Sequence, residues 1–366
     1  MKILYLAPGC GGYKMVELYS NIAEKVVILG EKKYSDKFNR MLRQCRSLKN
    51  VQVKYTNFLM YPLEIIRNAN EADIIIAQDP KTGFLAYYAN IFAKKPVIFQ
   101  MCQDFIEYLE LYDFNFLLKR FIIGINKIML KKCCKSFPIV ALSNHIKKRA
   151  EYYGAKKTVV IPIHGIDFKI LYPKKTNLKN KLGIKGPMLL TVGRLTPEKG
   201  TSYLIDSVKD LVKDYPSLKL VIIGIGYLEN KLKKQAEDLG IKENVIFEGF
   251  VDHRKLIDYF NAADLFVLPS LKEGLGYVSG EALVCKTPVI GSNIGGIPDV
   301  VINNKTGLLV PPRDTLALTN AVKKLLNNKL LAKKLAENGR AHILKNFEEK
   351  VVTKKFEEYI NKFIYH

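Results

Sequence analysis

Short apolar runs alternate along the chain with longer segments in which apolar residues recur every three or four positions. Runs of about four to eight apolar residues, rich in Val, Ile and Leu, are typical of strands buried on both faces of a parallel sheet. The segments with the longer period are typical of helices that cover such a sheet. In the first half, strands are predicted at Ile3–Ala7, Val26–Leu29, Val51–Tyr55, Asp73–Ala77, Val97–Gln100, Ile139–Leu142 and Val159–Ile161.

The second half continues the alternation and predicts a second sheet. Its strands are predicted at Met188–Val192, Leu218–Gly224, Val245–Val251, Asp264–Leu268 and Pro288–Ile290. Strands that alternate with helices build βαβ units, so the predicted fold class is α/β with two Rossmann-like domains. The predicted organisation is a first domain over residues 1–172, a polar linker over 173–187, a second domain over 188–345 and an amphipathic terminal helix over 346–366.

The stretch Leu268–Val300 contains the strongest candidate site. A predicted buried strand ends at its start, and two carboxylates follow, Glu273 before a short predicted helix and Glu281 inside it. Gly276 has no Cβ, so the backbone can approach a ligand closely there. The amides that follow it open the helix and lack intrahelical partners. Because ionised carboxylates only accept hydrogen bonds, the pair suits hydroxyl groups on two parts of one ligand.

These residues resemble the signature of a known family. Glu273-Gly274-x-Gly276 with Glu281, followed by Pro288-Val289-Ile290 and Gly295-Gly296-Ile297-Pro298, is similar to the paired-glutamate pattern of retaining family 4 glycosyltransferases. The resemblance covers nearly the whole chain and is strongest over Met188–Val310. It implies the GT-B arrangement, in which two Rossmann-like domains face each other across a cleft and the terminal helix crosses back to the first domain.

The resemblance also implies an enzyme that moves a hexose-type sugar from a nucleotide diphosphate sugar to a lipid-linked or glycan acceptor, with retention of configuration. A UDP-sugar is the favoured donor, and a GDP-sugar is the alternative. Glu281 is expected to bind the ribose hydroxyls, and Glu273 with the amides after Gly276 is expected to bind the transferred sugar. The donor contacts expected in this stretch are Glu273, Gly274, Gly276, Tyr277, Val278 and Glu281.

A second candidate segment, Gly193–Gly200, follows the first predicted strand of the second domain. Thr196 is a predicted helix N-cap, with a proline at the first helical position. Arg194 and Lys199 flank that helix start, and two cations beside open amides suit a diphosphate. The segment resembles the diphosphate-binding motif of the same family. Arg194, Lys199 and Glu273 are therefore the predicted catalytic residues, and neither a metal nor another cofactor is expected.

Gly11 and Gly12 lie between the first predicted strand and the first predicted helix, where a doubly wound sheet receives phosphates. By themselves these glycines also fit a simple tight turn, and the family resemblance favours the binding role. By the same resemblance, Val251 is expected to lie along the nucleotide base through main-chain groups.

The strand predicted at Val97–Gln100 leads into Cys102-Gln103-Asp104, where many family members carry a histidine that reaches the donor sugar. Gln103 or Asp104 is expected to replace that hydrogen bond, but neither can carry the proton of a histidinium. This departure from the family pattern supports an alternative function: a catalytically silent GT-B protein that binds a nucleotide sugar or a partner.

The chain has a formal net charge of +23. Residues 1–183 hold 31 Lys and Arg against 14 Asp and Glu, whereas residues 184–366 hold 27 against 21. The first domain is therefore expected to face an anionic partner, and a phosphate-bearing acceptor or an anionic membrane leaflet suits it. A lysine-rich solvated surface explains the charge equally well. Nucleic acid is not an expected partner, because no nucleic-acid-binding motif accompanies the charge.

The segment Phe114–Lys135 carries six Lys and Arg, no Asp or Glu, and many large apolar residues. A basic amphipathic helix of this kind fits a membrane interface. It also fits a helix that packs on a core and keeps its lysines in solvent. The second interpretation is favoured, since any packed helix needs one apolar stripe.

Three further features predict the compartment. No apolar run approaches the ~20 residues of a spanning helix, and the chain opens on a predicted strand rather than a signal peptide. The six cysteines show no paired or metal-binding spacing. A cytoplasmic protein is expected, with a peripheral position at the cytoplasmic face of the membrane as the alternative.

Overall fold

The computed structural model describes residues 1–6, 13–31, 48–57, 60–112, 115–162 and 164–364, and the chain divides into two units. Unit 1 contains Met1–Gly165 and Lys350–His366, and unit 2 contains Ile166–Glu349. The division falls before the predicted boundary at residue 172, and the predicted linker over 173–187 belongs to unit 2. Local hydrogen bonds explain this difference: the Ile166 amide donates to the Phe347 carbonyl at 2.8 Å, and the Lys174 amide donates to Asn261 Oδ1 at 2.7 Å.

The sheet of unit 1 contains every strand predicted in the first half, with ends moved by one or two residues. These strands are β1 (Lys2–Leu6), β2 (Lys25–Glu31), β3 (Val51–Thr56), β4 (Ile74–Ala77), β5 (Val97–Met101), β6 (Ile139–Ala141) and β7 (Thr158–Val160). They are parallel and follow the order β3-β2-β1-β4-β5-β6-β7. The helices described between them are α1 (Tyr13–Ile22), α2 (Tyr61–Ala69), α3 (Pro80–Ala93), α4 (Phe105–Leu109), α5 (Phe116–Ser136) and α6 (Asn144–Tyr152).

Unit 2 has its own parallel sheet. Its strands are β8 (Met188–Val192), β9 (Lys219–Ile223), β10 (Val245–Gly249), β11 (Leu265–Leu268), β12 (Val289–Ser292) and β13 (Leu308–Val310), in the order β10-β9-β8-β11-β12-β13. The α-helices of this unit are α7 (Leu178–Lys181), α8 (Thr201–Asp214), α9 (Glu229–Asp238), α10 (Leu256–Ala262), α11 (Tyr277–Val284), α12 (Ile297–Val300), α13 (Thr315–Asn327) and α14 (Lys329–Phe347). Strands and helices contribute to one buried apolar core.

The last helix, α15 (Glu349–Ile364), completes the core of unit 1. Its residues Val352, Phe356 and Ile360 recur every four positions and are at most 1% exposed. The Phe356 ring lies 5.6 Å from the Tyr19 ring of α1, measured between ring centres. The amphipathic pattern at the end of the chain thus buries its apolar stripe against elements that begin the chain.

The sheet of unit 2 reverses its strand order between β8 and β11. β9 and β10 lie on one side of this point, and β11, β12 and β13 lie on the other. The loops after β8 and β11 therefore leave neighbouring strand ends in opposite directions, and open α/β sheets bind ligands in the crevice between such loops. The two loops are Gly193–Gly200 and Pro269–Gly276, which carry both motifs of the predicted site.

Candidate active site

Contacts within the loop after β11 and with two other segments of unit 2 hold Glu273 in place. Ser270 Oγ and Lys199 Nζ donate to Glu273 Oε2 at 3.2 and 2.7 Å. The Gly296 amide donates to the Glu273 carbonyl at 3.1 Å. Because both side-chain contacts that the described residues make to the carboxylate fall on Oε2, its other oxygen can accept from a ligand hydroxyl.

Two glycines let neighbouring backbone approach this loop at very short range. A Cβ on Gly295 would lie 2.0 Å from the Glu273 carbonyl oxygen, and a Cβ on Gly200 would lie 2.1 Å from the Pro269 carbonyl oxygen. Both glycines have φ near +60° (+57° and +62°), which favours glycine independently of the contact. The loop that carries Glu273 is therefore clamped between the segment after β8 and the turn after β12.

Lys199 reaches Glu273 from the segment after β8. Its aliphatic stem runs along Gly193, where an added Cβ would lie 3.6 Å from Lys199 Cδ. The Lys199 side chain is 18% exposed, and it lines a small pocket at the carboxyl ends of the strands together with Gly193 and Leu268. An ammonium has three N–H donors, so the group that bonds Glu273 can also donate to a phosphate oxygen.

The Arg194 guanidinium is bonded to the protein at one edge and exposed to solvent at the other. Its Nη2 donates to Glu198 Oε1 at 2.9 Å, and its side chain is 66% exposed, whereas that of Glu198 is 1% exposed. A buried carboxylate needs a cation beside it, so Glu198 orients the guanidinium. The carbonyl of Glu198 also accepts from the Leu271 amide at 2.8 Å, which ties the two loops together. Sequence reasoning did not assign Glu198 this role.

The predicted helix start at Thr196 is right in position, but the turn that begins there is a 3-10 turn and not the α-helix. Pro197–Lys199 form a 3-10 turn, and α8 begins only at Thr201, after Gly200 in the left-handed conformation. The Thr196 side chain makes no capping hydrogen bond. The close approach of Gly200 to the loop after β11 sets where the α-helix begins, and this tertiary contact overrides the local Thr-Pro signal.

Glu281 lies in the second turn of α11, which begins after Gly276 with φ +86°, as the glycine pattern predicts. His253 Nε2 lies 2.9 Å from Glu281 Oε1, and the Glu281 side chain is 15% exposed. The second carboxylate oxygen can accept from a ligand hydroxyl. Burial, reinforced by the Glu281 charge, raises the pKa of Cys285 to about 12, so the neighbouring thiol stays neutral.

Sequence reasoning missed His253. The sequence around His253 signals only a helix cap. Asp252 Oδ1 accepts from the Arg254 amide at 2.9 Å and caps a 3-10 turn that begins at His253. That turn follows β10, whereas Glu281 follows β11. The contact between His253 and Glu281 therefore depends on how the strands are ordered in the sheet. No periodicity in the sequence links positions that are 28 residues apart.

Two buried hydroxyls in the described part of unit 2 lack a hydrogen-bond partner, Thr196 Oγ1 and Ser279 Oγ. Thr196 belongs to the segment after β8, and Ser279 belongs to the first turn of α11. Buried polar groups in folded proteins are nearly always paired. The two orphaned hydroxyls thus lie in the two segments that flank the crevice, and both are buried.

The remaining donor contacts predicted in unit 2 vary in exposure. Gly274 is a buried residue of the loop after β11, whereas Tyr277 and Val278 are partly exposed in the first turn of α11. Val251 is partly exposed after the end of β10. The three partly exposed positions are accessible enough to touch a ligand, and their contacts with a donor stay predictions.

The candidates in unit 1 fare differently. Gly11 and Gly12 lie outside the described residues, and Gln103 is exposed. Asp104 is fully buried: its Oδ1 accepts from the Ile106 amide at 3.0 Å, and its Oδ2 accepts from Arg149 of α6 and from Tyr153, the residue after α6, the latter at 3.0 Å. The structure thus gives Asp104 the task of joining α4 to α6 instead of the predicted sugar contact.

Replacing Tyr153 by Phe is expected to lower the free energy of unfolding by about 1.5 kcal/mol, because a buried carboxylate loses one donor. Sugar transfer is expected to stay unchanged. Tyr152→Phe is the matched control, since the Tyr152 ring lies beside the same arginine but is 63% exposed. Denaturant unfolding and a transfer assay measure both effects. A large loss of transfer by the stable Tyr153→Phe variant would return Asp104 to the substrate site.

The family match found by comparison with known proteins lies within unit 2. Residues 174–342 match the family model described as Glycosyl transferases group 1. The Staphylococcus aureus capsular polysaccharide biosynthesis glycosyltransferase CapM is 30% identical over 238 residues, which cover 62% of this chain and 62% of that protein. The Mycolicibacterium smegmatis GDP-mannose-dependent alpha-(1-6)-phosphatidylinositol monomannoside mannosyltransferase is 35% identical over 170 residues, 44% of each chain. The chain spans about half the length of the curated relatives it matches.

The crystal structure of Anabaena HepE in complex with UDP superposes with a TM-score of 0.84 at 20% identity, over 99% of this chain and 100% of that chain. This likeness confirms the predicted α/β fold class, GT-B with two Rossmann-like halves. The family match covers both glutamates, Arg194 and Lys199. Over residues 174–342, the chain is thus similar to the glycosyl transferases group 1 family.

Proposed function

We propose that the protein transfers a hexose-type sugar from a nucleotide diphosphate sugar to a glycan or lipid-linked acceptor, with retention of configuration. The observation that carries the proposal is the 2.7 Å contact of Lys199 with Glu273 in the crevice between β8 and β11. A UDP-sugar is the favoured donor, since HepE was also crystallised with UDP-glucose. A GDP-sugar is the alternative, since the Mycolicibacterium smegmatis relative is named as GDP-mannose-dependent.

The diphosphate is assigned to the segment after β8. Lys199 would donate to one phosphate oxygen, and the exposed edge of Arg194 would donate to others. As the bond from the sugar to the diphosphate breaks, negative charge grows on the diphosphate, and fixed cations stabilise that charge more than the ground state. We assign this task to the two cations rather than to a metal ion.

The sugars are assigned to the two glutamates. Glu273 would accept from hydroxyls of the transferred hexose, while Lys199 and Ser270 hold its other oxygen. Glu281 would accept from the ribose hydroxyls, while His253 holds its other oxygen. Each carboxylate thus has one oxygen fixed by the protein and one for the ligand, which orients both sugars with little loss of side-chain freedom on binding.

Retention follows from attack on the same face of the sugar that the diphosphate leaves. In this step the acceptor oxygen bonds the anomeric carbon, the bond from that carbon to the phosphate oxygen breaks, and the acceptor proton passes to the departing phosphate. No side chain has to become a nucleophile. The acceptor is assigned to unit 1, whose excess of Lys and Arg suits a phosphate-bearing lipid or glycan.

A thermal-shift panel with UDP, GDP, ADP and their sugars tests the donor site directly. A ligand at 100 times its Kd is expected to add about 2.7 kcal/mol to stability. We expect UDP and a UDP-sugar to give the largest shift, in buffer that contains a chelator. If no nucleotide shifts the transition, the donor site is wrong. Binding without transfer or hydrolysis across many acceptors would favour the catalytically silent alternative, which the exposed Gln103 in place of a histidine motivates.

Glu281→Ala is expected to weaken UDP binding by about 10- to 100-fold, because a charged acceptor for the ribose hydroxyls is lost. Glu273→Ala is expected to lower kcat and to leave UDP affinity within about threefold, because its partner is the transferred sugar. Isothermal titration with UDP and steady-state kinetics separate the two effects. Glu229→Ala is the control, since this glutamate lies in α9 and pairs with Lys233. Equal effects of the first two substitutions on both quantities would contradict the assigned roles.

A further inference from the structure

The N-terminal half of α5 presents large apolar side chains to solvent. Phe116, Leu117, Phe121 and Ile128 are 67%, 75%, 65% and 65% exposed. The buried residues of the helix are Leu130, Cys133 and Cys134, all near its C-terminal end. The favoured interpretation, a helix whose apolar stripe packs on the core, therefore holds fully only for the end of α5, while Ile122, Ile123 and Met129 are partly buried.

The position of α5 explains this exposure. The Cys133 thiol lies 3.6 Å from the carbonyl oxygen of Pro80, the first residue of α3, and the Phe137 ring lies 6.3 Å from the Tyr87 ring further along α3. The two helices therefore run side by side in the same direction, and α5 begins well before α3. At 1.5 Å per residue, about 20 Å of α5 precedes the point where α3 begins to cover it.

The start of α5 is nevertheless fixed. Lys119 Nζ donates to the carbonyl oxygens of Glu110 and Tyr112 at 3.1 and 3.0 Å, and Asn115 Oδ1 accepts from the Leu118 amide at 3.1 Å. The projecting half is thus a capped helix tied to the turn after α4. Its exposed apolar face belongs to a regular, anchored element.

One outward stripe combines apolar and basic residues. Leu117, Phe121, Ile125 and Ile128 follow one another at helical spacing, and Lys131 and Lys135 continue the same line; all six are exposed. The whole helix has six Lys and Arg and no Asp or Glu. Apolar side chains on one helix face next to cations, with no carboxylate, match the composition of helices that lie in a membrane interface.

We infer that this outward stripe of α5 docks on an anionic membrane surface. The apolar residues enter the boundary between headgroups and acyl chains, and Lys131 and Lys135 bind anionic headgroups. None of the described helices, α5 included, is long and apolar enough to cross a membrane. The excess of cations over residues 1–183 favours a lipid surface of opposite charge. This inference concerns unit 1 and does not depend on the donor site of unit 2.

Flotation of the full chain with phosphatidylcholine vesicles, with and without phosphatidylglycerol, tests the inference. Binding is expected only with phosphatidylglycerol and is expected to weaken at high salt. The double substitution K131Q/K135Q is expected to weaken binding about 25-fold, from about fivefold per cation. L117S/F121S is expected to weaken vesicle binding more than tenfold, because two of the large apolar side chains that would enter the membrane are lost. Thermal unfolding and UDP shifts identify any variant that loses its fold.

L316S/L330S is the matched control, because these leucines of α13 and α14 in unit 2 are 70% and 83% exposed. This control variant is expected to bind vesicles like the unchanged protein. Three outcomes would overturn the inference: no binding to either vesicle, equal binding to both, or an equal loss in the control. A protein that is dimeric by analytical ultracentrifugation, ignores vesicles and becomes monomeric in L117S/F121S would show that a second copy covers the stripe instead.

Discussion

Replacing Lys199 by Gln is expected to lower kcat for sugar transfer by about 100- to 1,000-fold, the usual cost of removing one preorganised charge that meets a transition state. Lys199 lies against the Gly193 backbone with its ammonium 2.7 Å from Glu273, so its position is set before the donor binds. UDP affinity is expected to fall less than kcat, because charge on the diphosphate grows only as the sugar leaves. Steady-state kinetics and isothermal titration with UDP measure the two quantities.

Lys272→Gln is the matched control for this prediction. Lys272 belongs to the same loop as Glu273, and the substitution changes the local charge equally without touching the pair. Its kcat is expected to stay within about threefold, since the partly exposed Lys272 ammonium makes no ion pair with the described residues and its charge is screened by solvent and salt. Lys199→Gln also leaves the Glu273 carboxylate, 13% exposed, without its cation. The double variant K199Q/E273Q is expected to recover the lost stability, so its unfolding free energy measures the cost of the unpaired carboxylate alone. A fully active, stably folded Lys199→Gln variant would refute the diphosphate assignment.

The strands were predictable because buried parallel strands are continuous apolar runs, and such runs depend only on local sequence. Ile74–Ala77, for example, reads as a strand from its own residues and is fully buried. The contact between Lys199 and Glu273, in contrast, could not be predicted from local sequence. The two residues are 74 positions apart, and the family motif marked both of them without giving their distance. Adjacent strands β8 and β11 supply that contact.

Two features of the predicted site required the tertiary structure. Thr196 carries a good N-cap signal, but the contact of Gly200 with Pro269 decides where α8 begins. Asp104 follows a strand end, as binding carboxylates often do, but its carboxylate forms an ion pair with Arg149 of α6. A sequence pattern reports which side chain a position carries and how local spacing repeats. It does not report which distant cation or backbone oxygen will lie beside that position.

The same limit applies to α5. Its composition fits both a packed helix and an interface helix, because an apolar stripe beside lysines serves either environment. What decides between them is how far α3 extends along α5, and that depends on the length of a different helix. The exposed fraction of Leu117, 75%, is thus information that no reading of residues 116–136 alone can supply.

Replacing Gly295 by Ala is expected to lower the free energy of unfolding by about 3 kcal/mol, the sum of backbone strain at positive φ and overpacking. The new Cβ would lie 2.0 Å from the carbonyl oxygen of Glu273, so the loop after β11 has to move. A displacement of about 1 Å at a catalytic group costs on the order of 100-fold in rate. Denaturant unfolding and kcat, measured on the same preparation, give both losses.

Gly183→Ala isolates the part of this effect that comes from contact with Glu273. Gly183 also has a left-handed backbone, with φ +65° against +57° at Gly295, but a Cβ there would meet nothing within 4 Å. Its substitution is expected to cost about 1 kcal/mol from backbone strain alone and to leave kcat unchanged. The difference between the two variants therefore measures how strongly the turn after β12 fixes Glu273. Equal losses of stability in both, with transfer intact in both, would mean that the loop tolerates the added methyl group and that its clamped geometry is not what aligns the carboxylate.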